Sequence, residues 1–213
     1  MMRNILLLLL SSASLFSEEV SSYPLNESEQ VCHQVEEFDI SDWITIPISF
    51  GSINGDSSKQ ENLTLSFPSE PTFIQGDGSL FSLYSSFTAT DDEEMVYTIT
   101  CMDLTGGNYS SMHDGVNFLV QALYNSSSKK ILMVDEFDPN SNRRLVVWSE
   151  GNQLNTIEFV QGAHFVYLLA TTAYSELYTK DLGTIEEESE EFKTLFRNGA
   201  KSRSFFKSFK ILN

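Results

Sequence analysis

The sequence predicts an α+β domain in which an antiparallel β-sheet is flanked by helices. Three observations carry that reading. Apolar and polar residues alternate along several short segments separated by turn residues, which is the period of strands. One late segment, Phe165-Val166-Tyr167-Leu168-Leu169-Ala170, is apolar on both faces, and such a strand needs cover on both sides. Two further segments, at Ser111–Tyr124 and from Thr184 onward, combine N-cap residues with a helical apolar period.

Residues 1–17 read as a secretory signal peptide. Arg3 supplies the positive start, Ile5 to Leu10 are all apolar, and Ser11 to Ser17 are mostly small. The apolar run is far below the ~20 residues that span a bilayer, and no later run reaches that length. Residues 18–42 form an acidic extension in which Val31, Val35 and Phe38 fit a short helix near Glu29–Phe38. The domain is expected to occupy residues 43–213.

Within it, Ile44, Ile46, Ile48 and Phe50 alternate with Thr45, Pro47 and Ser49. Pro47 lacks an N–H, so this strand belongs at an edge. Gly51 to Glu61 reads as a loop, and Leu63, Leu65 and Phe67 form the next strand, closed by Pro68 and Pro71. Phe81–Ala89 and Met95–Asp103 make a hairpin across the acidic turn Thr90-Asp91-Asp92-Glu93-Glu94, with Met95, Tyr97, Ile99 and Cys101 on one face. After Gly106-Gly107, Val116, Leu119, Val120 and Leu123 line one side of a helix ending near Tyr124. Strands over Lys130–Phe137, Arg144–Ser149 and Leu154–Val160 follow, with turns at Asp138-Pro139-Asn140 and Glu150-Gly151-Asn152. Ala163–Thr172 is the strand that is apolar on both faces. Thr184-Ile185-Glu186-Glu187 matches a capping box, which places a helix start at Thr184 and its acids at the positive end of the dipole. Asn198-Gly199 ends or interrupts that helix, and the apolar tail Ser204–Phe209 docks on the body.

The net charge of −17 over 213 residues disfavours nucleic acid and anionic lipid, because a strongly acidic surface repels both. Removing residues 1–17 takes away one cation and no acid. Catalytic and metal-binding signals are lacking. His33, His113 and His164 have no HxxxH or HxH spacing, no CxxC is present, and neither G-x-S-x-G nor a glycine-rich phosphate loop occurs. The acids of residues 91–94 lack EF-hand spacing and read as a solvated turn. Sequons stand at Asn26, Asn62, Asn108 and Asn125, with Asn62 beside a strand. Cys32 and Cys101 are a candidate disulfide pair in an exported chain, or else two separate thiols.

Landmarks at both ends of the domain resemble the PsbP-like superfamily. They are the strand Leu63 to Phe67 with its Phe-Pro-x-x-Pro turn (Pro68, Pro71), and the segment Gln161 to Ala170, which fits xGxxxYxLxA. The ending Phe205, Phe206, Lys207, Ser208, Phe209 is a third. A middle glycine-rich turn of such domains is replaced by Asp138 to Ser141. The resemblance implies an α/β/α sandwich and a non-enzymatic accessory or interaction role, with a protein partner and no cofactor. It carries over no site residue, because the motif positions are packing residues. A lipocalin-like carrier of a small ligand and a hydrolase without recognisable motif are the alternatives. The expected location is periplasmic or secreted.

Intact-mass measurement of protein recovered from outside the producing cell should show loss of the residues up to about Ser17. A mass short of two hydrogens before reduction selects the Cys32–Cys101 bridge, and an unchanged mass selects two thiols.

Overall fold

A computed structural model describes residues 37–51, 60–76, 84–103, 129–134, 142–181 and 189–212, together with Asn117, Gln121, Asn125, Ile185 and Glu186. The expected signal peptide, Cys32 and most of Ser111–Tyr124 lie outside these residues, although Asn117 and Gln121 are helical. The strands are β1 (Ile44–Gly51), β2 (Gln60–Phe67), β3 (Thr72–Gly76), β4 (Tyr84–Thr90), β5 (Val96–Asp103), β6 (Lys129–Val134), β7 (Arg143–Glu150), β8 (Gln153–Gln161), β9 (Phe165–Tyr174) and β10 (Lys210–Leu212). A 3₁₀ turn spans Glu176–Thr179, and helix α1 spans Glu190–Ser208. No helix among the described residues is long and apolar enough to cross a membrane.

The strands form two sheets rather than one. A three-stranded sheet runs β1-β2-β10 and a seven-stranded sheet runs β3-β4-β5-β9-β8-β7-β6. Every pairing is antiparallel. β1 stands at an edge, as Pro47 requires. β9 is central, between β5 and β8. The large sheet has two ends, so the described strands close no cylinder of the kind a lipocalin-like carrier needs.

The core lies between the two sheets. Strand alternation sends Tyr97, Ile99 and Cys101 of β5 and Phe165, Tyr167 and Leu169 of β9 to one face, where they meet Phe50, Leu63, Leu65 and Phe67 of the small sheet. Helix α1 fills the remaining space. Its Phe205 ring is fully buried and lies 5.6 Å from Phe67 and 5.3 Å from Tyr97, while Phe209 lies 5.3 Å from Tyr167. Among the described residues, this face of the large sheet, expected to be covered by helices alone, is covered by a second sheet together with α1, and strands dominate. A strand such as β9 needs apolar contact, and an amphipathic strand pair supplies it as well as a helix does.

Four other expectations change. β3 and β10 were not anticipated as strands. Glu61, expected in a loop, is a buried residue of β2. The capping box at Thr184 does not start α1: Ile185 and Glu186 are non-helical, and Ser189 is the N-cap, its Oγ accepting from the Phe192 N–H at 3.0 Å. Ile185 is buried in the core, which holds the chain out of helix at that point. Finally, α1 runs unbroken through Asn198 and Gly199, so the expected tail is its last two turns. Asn198 stays helical with its side chain engaged, Nδ2 donating to the Tyr178 hydroxyl at 2.7 Å.

Glu61 also explains two residues of the xGxxxYxLxA segment. Its carboxylate accepts from the Tyr167 hydroxyl at 2.9 Å and from the His164 backbone N–H. A Cβ on Gly162 would overlap that carboxylate and stand 3.0 Å from the Tyr167 ring. Gly162→Ala should therefore destabilise the fold by about 1–3 kcal/mol in chemical denaturation. Adding Glu61→Ala should make the cost of Gly162→Ala much smaller, since the obstructing group is gone; two strictly additive losses would contradict this packing.

Candidate functional site

The residues singled out from the sequence do not converge. Cys101 is buried in β5 beside Tyr167, its register partner on β9. Its candidate partner Cys32 lies outside the described residues, as do His33, His113, Asn26 and Asn108. His164 is exposed at the β8–β9 connection. Asn62 sits in the β2 ladder opposite Ser49. Among the described residues no three His, Cys, Asp or Glu side chains group as metal ligands. Burial, then Cys101, then the hydrogen bond to Glu61 push the Tyr167 phenol well above its ordinary range. Tyr167 is therefore a neutral donor to Glu61 and no proton acceptor.

The turn of residues 91–94 is only partly the solvated turn expected. Asp91 points inward, its side chain 5% exposed, and meets Lys201 of α1, 4% exposed, at 2.6 Å. It also accepts from the Glu93 N–H at 3.0 Å, the Met95 N–H at 2.9 Å and the Tyr97 hydroxyl at 2.9 Å. Lys201 reaches Glu93 at 2.9 Å and lies 5.4 Å from the centre of the Phe38 ring. Arg197 pairs with Glu93 as well. Burial raises the Asp91 carboxyl, but its bonds from Lys201, Met95 and Tyr97 outweigh that and hold it below its usual value. Burial likewise lowers Lys201, and the bonds to Asp91 and Glu93 outweigh it, so its ammonium is held above the usual range. These side chains tie the β4–β5 hairpin to α1. Nothing reactive is left over, because each inward group is matched by its partner. Asp92 and Glu94, by contrast, face solvent, and no ion pair joins either among the described residues.

A cleft of about 320 Å³ lies between Phe38, Thr45, Thr64 and the C-terminal end of α1. Most of its polar groups are committed to one another. Thr45 and Ser66 share a hydrogen bond of 2.8 Å, Ser208 accepts from the Ser66 N–H at 3.1 Å, and Ser204 donates to the Phe38 carbonyl at 2.9 Å. Lys207 is paired with Glu37. The cleft is a seam that fastens residues 37–40 to the body rather than a site with converging free donors.

The ends of the large sheet differ sharply. β6 carries Lys129 and Lys130, paired with Glu150 and Asp181, and has a register irregularity between Ile131 and Met133. Charges and bulges are how sheet edges are protected from further pairing. β3 (Thr-Phe-Ile-Gln-Gly) has none of these: no charge, no proline and an unbroken register with β4. Phe73 is 51% exposed and Ile74 is 48% exposed, one on each face of the strand. The Phe73 ring packs 5.0 Å from Phe87 and so stays in place without being covered. Sequence reasoning missed this edge, although Phe73-Ile74 after Pro71 was a signal for it.

No family model matches the chain, and no curated protein is similar to it. Solved structures are, and two of them follow. One is the crystal structure of the Ran-binding protein Mog1p of Saccharomyces cerevisiae, 10% identical with a TM-score of 0.39, covering 78% of this chain and 96% of its own. The other is the solution structure of cyanobacterial PsbP (CyanoP) from Synechocystis sp. PCC 6803, 7% identical with a TM-score of 0.40, covering 78% of this chain and 92% of its own.

The Asp91–Lys201 pair has a definite pH signature. A carboxyl held below its ordinary range stabilises the fold above that range, and the contribution fades as pH falls through it. Lys201→Met should cost about 3–5 kcal/mol at pH 7 by leaving a buried carboxylate unpaired. That cost should shrink in acid, where the carboxyl deprived of Lys201 takes up a proton. The double variant Asp91→Asn/Lys201→Met should recover most of the loss at pH 7. Denaturant midpoints at pH 7 and in acid check all three.

Proposed function

We propose that the chain is a non-enzymatic accessory domain that binds another protein and works outside the cytoplasm once residues 1–17 are removed. The observation that carries this reading is the β3 edge. It is an uncharged strand with two half-exposed large apolar side chains, at one end of a sheet whose opposite end is guarded by lysines and a bulge. The resemblance drawn from the sequence supports it, since PsbP-like domains mostly bind or assist other proteins. In this reading the buried polar groups serve stability: Asp91 and Lys201 lock the hairpin to α1, and Glu61 locks the β8–β9 connection to β2.

The test is affinity capture from the native envelope or secretome with the full chain as bait, beside a Phe73→Asp variant whose fold is checked by circular dichroism. The wild type should retain a stoichiometric partner, and Phe73→Asp should lose it. Recovery of only the free chain by the wild type, or equal recovery by the variant, counts against the reading.

A further inference from the structure

The proposed protein-binding role leaves open how a partner is held and what it looks like, and the inference here rests on that role. We infer that β3 takes up an extended segment of a partner as an additional antiparallel strand, one that is uncharged along its length and carries Lys or Arg at its C-terminal end.

The mode follows from the backbone. β3 pairs with β4 along its whole length, Thr72 with Thr88 through Gly76 with Tyr84. In an antiparallel pair every second residue turns its N–H and C=O away from its neighbour. On the outer side of β3 no described strand takes these groups, because β3 ends the sheet. An added strand satisfies them and meets Phe73 and Ile74 on its two faces. Antiparallel addition continues the pattern of every pairing among the described strands and is the more stable of the two directions.

The charge of the partner follows from what lies at one end of β3. The Ser69 hydroxyl donates to the Thr90 carbonyl at 2.9 Å, which brings the residues before β3 against the start of the acidic turn. Glu70, Asp92 and Glu94 are all exposed there. Asp91 and Glu93 of the same turn are engaged by Lys201, but no ion pair joins Glu70, Asp92 or Glu94 among the described residues. These three acids stand beyond Thr72, the N-terminal end of β3. A strand running antiparallel ends there, so its C-terminal residues face them. The same charges, with a net −17 for the whole chain, argue against a second copy of this chain as the occupant.

The probes are three fluorescent capped peptides used with the full chain: Thr-Val-Thr-Val-Thr-Lys-Lys, Lys-Lys-Thr-Val-Thr-Val-Thr and Thr-Val-Thr-Val-Thr-Glu-Glu. Anisotropy should show the first bound about tenfold more tightly than the second, with the third weakest. Ile74→Lys, which places on β3 the kind of guard that β6 has, should abolish that preference, and Val134→Lys on β6 should leave it intact. Glu70→Lys/Asp92→Lys should reverse the order of the first and third peptides. Equal binding of all three, insensitivity to Ile74→Lys, or a wild-type dimer in sedimentation that Ile74→Lys disperses would overturn the inference. Capture of a partner that depends on Phe73 while the peptides ignore Ile74 would overturn strand addition alone and leave protein binding standing. Failure of both experiments would remove both.

Discussion

The structure depends on Phe205 being enclosed between the two sheets. The small sheet offers Phe67, the large sheet offers Tyr97, and the helix carries the ring that touches both. Neither sheet can bury its inner face alone, since each has one apolar side and needs an opposite layer. Phe206 and Phe209 extend the contact, alongside direct ring contacts between the sheets such as Phe50 with Tyr167. The polar contacts act on top of this. Thr171 and Ser202 share a buried hydrogen bond of 2.7 Å between β9 and α1, and Ser202 also donates to the Asn198 carbonyl. These bonds add direction to a contact whose strength is apolar, because each is worth little net but is costly to leave unmade.

The strands with a strong two-residue period were legible in the sequence. β1, β2 and β5 lie where their alternation placed them, because each has one buried face that sets its phase, and β9 lies where its apolar run placed it. β3 and β10 were not legible. β3 keeps Phe73 and Ile74 both exposed and so has no inward face to give a period, while β10 is only three residues long. The start of α1 was misplaced because Thr184 and Ser189 both fit a cap by local chemistry, and only the burial of Ile185 decides between them. Local pattern cannot report a choice made by distant packing.

The candidate site was less legible still. An edge strand is defined by what fails to pair with it, which no local stretch of sequence records. The acidic turn was plain in the sequence, but not its division into Asp91, turned inward to Lys201, and Asp92 and Glu94, turned outward. That division depends on a lysine more than a hundred positions away along the chain.

The pairing of β10 with β2 has a kinetic side. Thr64 finds Lys210 and Leu63 finds Ile211, so β2 is completed by residues far along the chain from it. Closing so long a stretch of chain is entropically slow, and contacts of this span hold back folding more than they alter final stability. Until α1 and β10 arrive, β2 has β1 on one side only, and the apolar layer between the sheets stands open. The inner faces of the two sheets therefore stay unsealed until that distant pairing forms, which makes this contact the late step in assembling the core.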